Sequence, residues 1–165
     1  MLVVAVPRET LDGVDPLALA GPAVRAVVDL TNTWGDEPLP DWLEAGDAGP
    51  GTARIAARWA ATGLTVPVVR ALSEVSHHDL DVDGRAAAPL RAVAVGTEPV
   101  AEAADPRAVV AARDAVTALL EAMGFDVVPY EGFARAAALE PGAAGFGTAH
   151  DARELAALLG VGPRG

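Results

Sequence analysis

The residues best placed to do chemistry sit in the stretch SHHDLDVDG, residues 76–84, where Asp79, Asp81 and Asp83 precede Gly84. In an extended loop, carboxylates at alternate positions can converge on a hard cation, calcium or magnesium, and a glycine permits the sharp turn that closes the loop. The second half of such a loop is missing. A twelve-residue frame starting at Asp79 puts Leu90, not a bidentate acid, at its last position, and AAAPL follows Gly84 where an exiting helix should stand. A solvated acidic loop joining two strands is therefore the stronger reading, with the metal site as its competitor. His77 and His78 add a second possibility: a general base oriented by Asp79, or two imidazoles on a transition metal. Neighbouring side chains of an extended chain point apart, so the two histidines do not share one ion easily. His77 remains a candidate base.

A further constellation follows from topology. LVVAV (2–6), LRAVAVG (90–96) and FDVVPYE (125–131) are apolar runs of strand length. If they are parallel neighbours, the rim beyond their carboxyl ends, where open sheets bind ligands, carries Arg8, Glu9 and Thr10, then Gly96, Thr97 and Glu98, then Glu131. Arg8, Glu9, Thr97 and Glu98 form a candidate polar ligand site. Two close carboxylates, Glu98 and Glu131, could raise one another's pKa for acid–base catalysis. The bland alternative weighs more: Arg8 pairs with Glu98 or Glu131 and ties two loops together. Other chemistries find no footing. There is no cysteine, serine occurs only at 73 and 76 with no G-x-S-x-G, and GAAGFG (142–147) follows Glu140-Pro141, lacks lysine and matches no phosphate-loop spacing.

The elements that must position these residues are clearest in the second half. Asp105 is an N-cap, Pro106 suits the first helical position, and Gly124 is a natural stop after Met123. Val109, Val116, Leu119, Leu120 and Met123 recur near helical spacing between them. Residues 90–131 thus read as a β-α-β unit with parallel strands. In the first half, 2–6 is a strand and a helix is expected over roughly 22–31. Residues 32–51 form an irregular Pro/Gly-rich acidic loop. Thr52 caps a helix that runs to Thr62, with Ile55 and Trp59 inward, and LTVPVV (64–69) is a strand that Pro67 assigns to an edge. Thr148 and Asp151 open the last helix, which Gly160 closes. The expectation is a single α/β domain over 1–165, a small, mainly parallel, Rossmann-like sheet of about four strands flanked by helices.

Composition narrows the function. With 165 residues, 52% hydrophobic and 4% aromatic, the core is built from small aliphatic side chains. The formal charge is −11, and all twelve basic residues are arginines scattered along the chain. Such a surface repels a phosphate backbone or an anionic membrane, so neither nucleic acid nor membrane is an expected partner. The amino terminus lacks the basic region of a signal peptide, and no segment reaches the roughly 18 apolar residues of a spanning helix. A cytoplasmic location follows as the default. VAVPRET, Gly13 and Leu17-Ala18-Leu19 resemble the opening of alanine dehydrogenases and transhydrogenase α subunits over about the first 25 residues. Asp15-Pro16 stands where that family has an arginine, and its glycine-rich nucleotide motif is missing, so none of its residues or activity is carried over. With no complete catalytic constellation, the expected function is a non-catalytic binding or assembly module. It would contact another protein, or a second copy, through Trp34 and Trp42 and need no cofactor. The alternative is a small-molecule hydrolase or lyase using the carboxylates at the strand ends.

Overall fold

The computed structural model describes residues 1–35, 37–44, 51–83, 91–98 and 105–162, the side chains of 81–83 excepted. Among these residues five strands form one sheet: β1 (Leu2–Val4), β2 (Val27–Asp29), β3 (Val68–Ala71), β4 (Ala92–Thr97) and β5 (Asp126–Glu131), in spatial order β1-β2-β3-β4-β5. Three of the four pairings are parallel; β3 and β4 run antiparallel. The sheet is mostly parallel and flanked by helices, with one more strand than expected.

That extra strand is β2, which falls inside the helix expected over 22–31. Ala26, Val27, Val28 and Asp29 are all buried, because a strand covered on both faces needs an unbroken apolar run rather than alternation. VRAVVDL reads equally well as a helical stripe, and the neighbouring strands decide between the two. β3 is likewise interior, not an edge. Pro67 precedes its first residue and contributes only its carbonyl, which accepts from Val27 N at 3.0 Å, so the missing N–H never enters the ladder.

Helices α1 (Pro16–Leu19), α2 (Asp41–Glu44), α3 (Gly51–Ala61), α4 (His77–Asp83), α5 (Pro106–Ala122) and α6 (Ala152–Leu159), with 3-10 segments at Arg8–Gly13 and Phe133–Leu139, complete the order. The parallel β4-α5-β5 unit is present as expected, with Asp105 accepting from Arg107 N and Pro106 opening the helix. Its buried face is Val109, Ala112, Val116 and Leu120, while Leu119 and Met123 stay exposed. This face packs against Val28, Val69, Val93, Val95 and Val127 on one side of the sheet. Two clusters share the other side. α3 places Ile55, Ala56 and Trp59 over Val4, Val27 and Val68, and α6 places Leu155, Ala156 and Leu159 over Ala92, Ala94, Val128 and Tyr130. Between them, strand register aligns Val4, Asp29, Arg70, Gly96 and Tyr130 in one row. The middle of that row is polar.

Because β4 opposes β3, the carboxyl ends of β4 and β5 lie at the opposite end of the sheet from those of β1 to β3. The single rim expected from Arg8 through Glu98 to Glu131 therefore does not form. No helix among the described residues is long and apolar enough to cross a membrane.

Candidate functional site

The polar cluster is built at the carboxyl ends of β1, β2 and β3. Asp29 ends β2 with its carboxylate fully buried. Its Oδ1 accepts from Thr31 N at 2.9 Å and from the Thr31 hydroxyl at 2.7 Å; its Oδ2 accepts from the Thr52 hydroxyl at 2.6 Å. Each threonine oxygen also accepts from a guanidinium: Thr31 from Arg8 Nε at 3.0 Å, Thr52 from Arg70 Nη1 at 2.6 Å. One carboxylate is thereby linked to two buried arginines through two hydroxyl relays. Arg8 also donates to the Thr33 hydroxyl at 2.6 Å and the Thr31 carbonyl at 2.9 Å. Arg70 Nη2 reaches Asn32 Oδ1 at 3.3 Å, and Asn32 Nδ2 donates to the Ser73 carbonyl at 2.6 Å. Thr52 is thus not a helix cap but a core hydroxyl in the first turn of α3.

Both arginines are only 1% exposed. Burial pushes the Arg8 guanidinium below its ordinary pKa, while Asp29 and Glu140 hold it up; it stays charged because arginine does not deprotonate in proteins. Glu140, just after the second 3-10 segment, approaches from the far side, with Oε1 at 3.1 Å from Arg70 Nη2 and Oε2 at 3.9 Å from Arg8 Nη1. The distance to Arg70 is short, yet Glu140 Oε1 makes no aligned hydrogen bond, and Arg70 Nε has none either. The arginines are well held by hydroxyls and carbonyls and poorly held by Glu140.

A cavity of about 410 Å³ opens over this cluster, walled by Arg8, Thr33, Gly51, Arg54, Glu44 and Glu140 among others. That volume lies in the range of small-molecule sites. A side chain at Gly51 would collide with the Arg8 guanidinium, so glycine is what lets α3 begin against it. Gly96 plays the same part on β4, where its bare Cα makes room for the Tyr130 ring. The Tyr130 hydroxyl is buried without a partner, and desolvation raises its pKa well above the usual phenol range.

The residues anticipated from sequence are dispersed. Arg8 is the one that lines the cavity; Glu9 is exposed on the adjoining 3-10 segment. Thr97 is buried beside Val69, and Glu98 accepts from Phe133 N at 2.9 Å, capping the second 3-10 segment from the opposite end of the sheet. Glu131 is exposed, 3.9 Å from Arg113. Neither glutamate meets Arg8. His77 lies exposed on α4 against the ring of His78, their centroids 3.9 Å apart. The backbone from His77 to Asp83 is helix rather than the expected loop, and helix positions two apart lie on opposite sides. Asp79 instead pairs with Arg91 at 3.1 Å; the side chains of Asp81 and Asp83 fall outside the description. Trp42 donates to Asp12 Oδ1 at 2.7 Å beneath Arg58, and Trp34 stands 54% exposed with its edge toward Phe146.

Asp29, Thr31, Thr33, Thr52, Arg70 and Glu140 were not anticipated. The signal for four of them was present in VVDLTNT and VPVVR, polar residues at the ends of apolar runs, and it becomes legible once both runs are read as interior strands.

No protein family and no curated protein matches the sequence. Among solved structures, the chain resembles a "putative f420 dependent nadp-reductase" from Arthrobacter sp. FB24, with 22% identity and a TM-score of 0.54, over 81% of this chain and 55% of that one. It also resembles the hypothetical protein SMa0349 from Sinorhizobium meliloti, with 15% identity and a TM-score of 0.63, over 90% of this chain and 64% of that one. The fold is Rossmann-like. The chain spans less than two thirds of either neighbour's length. The expected non-catalytic binding or assembly module is corrected by the first likeness, since that Rossmann-like sheet belongs to a chain described as a reductase. Neither the module nor the hydrolase or lyase alternative is retained. A Rossmann dinucleotide site sets a glycine-rich turn and a helix amino terminus after the first strand, to receive a pyrophosphate. Here β1 runs into Pro7-Arg8 and a six-residue 3-10 segment, with Arg8 folded into the crevice. That turn offers no glycine-rich cradle for a pyrophosphate, and the cavity beside Arg8 is the remaining space for an anionic group.

Proposed function

We propose that this chain is a Rossmann-like domain of an oxidoreductase, and that the Arg8 cavity holds one oxyanion of its ligand, with the 2′-phosphate of NADPH as the leading candidate and its pyrophosphate lying away from the turn after β1. The carrying observation is a guanidinium 1% exposed, pinned by three hydrogen bonds to Thr31 and Thr33 and facing a side-chain-free helix start on a cavity of about 410 Å³. Fixing an arginine this way sets its fork in advance, and planar forks suit phosphate oxygens better than an ammonium does. An arginine near the ribose is also how Rossmann-type sites accept the 2′-phosphate. The likeness to the reductase supports the reaction class.

The test is a fluorescence titration of the purified chain with NADPH and with NADH. NADPH should saturate, and NADH, which lacks the 2′-phosphate, should bind at least about tenfold more weakly, a difference of about 1.4 kcal/mol. Arg8→Lys, confirmed folded by its melt, should lose most of that discrimination. Absence of saturable NADPH binding, or equal affinity for the two nucleotides, refutes the proposal.

A further inference from the structure

The way Glu140 meets the two buried arginines carries information about the ligand. An arginine and a carboxylate that are optimised for each other form two short parallel bonds. Glu140 instead lies 3.1 Å from Arg70 and 3.9 Å from Arg8, its Oε1 has no aligned donor, and Arg70 Nε is left without an acceptor. Every other described acceptor on these guanidiniums is a hydroxyl, amide or backbone oxygen supplied by residues 31–33 and 52.

The charges point the same way. Arg8 and Arg70 bring two positive charges, and Asp29, between them, offsets one. The remaining charge faces Glu140, while Glu44 and Arg54 on the cavity wall contribute one charge of each sign. Glu140 is also the more accessible partner. Its side chain is 22% exposed against 1% for either arginine, and it follows the end of the Phe133–Leu139 segment rather than sitting within a strand. Just beyond it, Gly142 turns the chain at φ 89°. A carboxylate with these contacts can leave without breaking the relay that holds the arginines.

We infer that Glu140 is a built-in stand-in for the ligand's oxyanion: it occupies the arginine site when the site is empty, and the anionic group of the ligand displaces it. The proposal rests on reading the Arg8 cavity as the ligand site, and it deepens that reading by stating the ligand's charge at this point and what it competes with. Glu140 thereby sets the affinity threshold of the site and keeps two guanidiniums compensated between binding events.

The experiment compares wild type with Glu140→Gln and Glu140→Asp, using inorganic phosphate and NADPH as probes in calorimetric titrations at fixed ionic strength, with melting curves to confirm folding. Glu140→Gln, which keeps the shape and removes the charge, should bind phosphate about tenfold more tightly than wild type. Glu140→Asp, one methylene shorter and still charged, should fall between them. Unchanged or weaker phosphate binding in Glu140→Gln would overturn the inference and make Glu140 a structural tie or a ligand-binding group. If phosphate tightens as expected while NADPH fails to bind wild type, the stand-in survives and the NADPH reading falls. If phosphate binds none of the three, both fail.

Discussion

Glu74 shows how a single buried carboxylate can work against the fold that needs it. β3 stops at Ala71 because Leu72 takes a left-handed conformation, φ 58°, which breaks the ladder one residue before the chain turns inward. The Glu74 side chain then replaces the missing strand, and its Oε1 accepts from Ala94 N at 2.7 Å. The position is fully buried, and desolvation raises its pKa above the ordinary 4.5, outweighing the hydrogen bond from Ala94 and the pull of Arg70 and Arg91. A raised carboxyl pKa means the folded state prefers the neutral acid. The associated stability is fully present below the unfolded value of 4.5 and is lost as pH rises through the folded value. Glu74→Gln keeps an acceptor for Ala94 and cannot ionise. Its advantage over wild type in urea unfolding should grow as pH rises from about 4 to about 8. A constant difference across that range would show that Glu74 does not carry the effect. Nothing in the local sequence LSEVS announces a buried acid, because the need for it comes from β4, twenty residues away.

At the scale of elements, capping chemistry was legible at Asp105 and Asp151 but not at Thr52, and strand chemistry was only partly so. α6 begins with a complete capping box: Asp151 Oδ1 accepts from Glu154 N at 2.8 Å, and Glu154 Oε2 accepts from Asp151 N at 3.2 Å. Gly160 ends the helix at φ 62°. These contacts are local, so residues 148–160 nearly suffice to anticipate them. Asp151→Ala should cost about 1 kcal/mol, read as a lower urea midpoint with an unchanged slope. A cost below a few tenths would mean that burial of Leu155 and Leu159 alone fixes this helix. β2 and the α4 segment fail the same local reading for opposite reasons. Val27 and Val28 are strand because β1 and β3 flank them, and HHDLDVD winds into helix although its alternating acids suit a loop. In β2, partners distant in sequence outweigh the pattern; in α4, the local turn at Ser76, whose hydroxyl accepts from Asp79 N at 3.2 Å, does so. The candidate site inherited that error, since its main residues sit at the ends of β2 and β3.

For the whole molecule, the antiparallel joint between β3 and β4 divides the sheet into two parallel blocks, and its consequences reach folding. The blocks are tied by more than the ladder. Phe133, from the chain after β5, is fully buried among Val27, Ile55 and Trp59 beneath the first block. Gly147 N donates to the Glu74 carbonyl at 2.9 Å, and Glu140 reaches Arg70 from the second block. Ala94 N also donates to the buried Glu74 carboxyl across the joint, so opening either block strands polar groups of the other without water. The chain should therefore unfold in one step. It carries its own probes, because Trp34, Trp42 and Trp59 all lie in the first block and Tyr130, the only tyrosine, lies in the second. Tryptophan fluorescence and tyrosine second-derivative absorbance should give one urea midpoint. Thr52→Val removes the hydroxyl between Asp29 and Arg70 and should cost about 1–3 kcal/mol, lowering both midpoints equally although Thr52 belongs to the first block. Separate transitions, or a shift confined to the tryptophan signal, would mean that these ties do not couple the blocks.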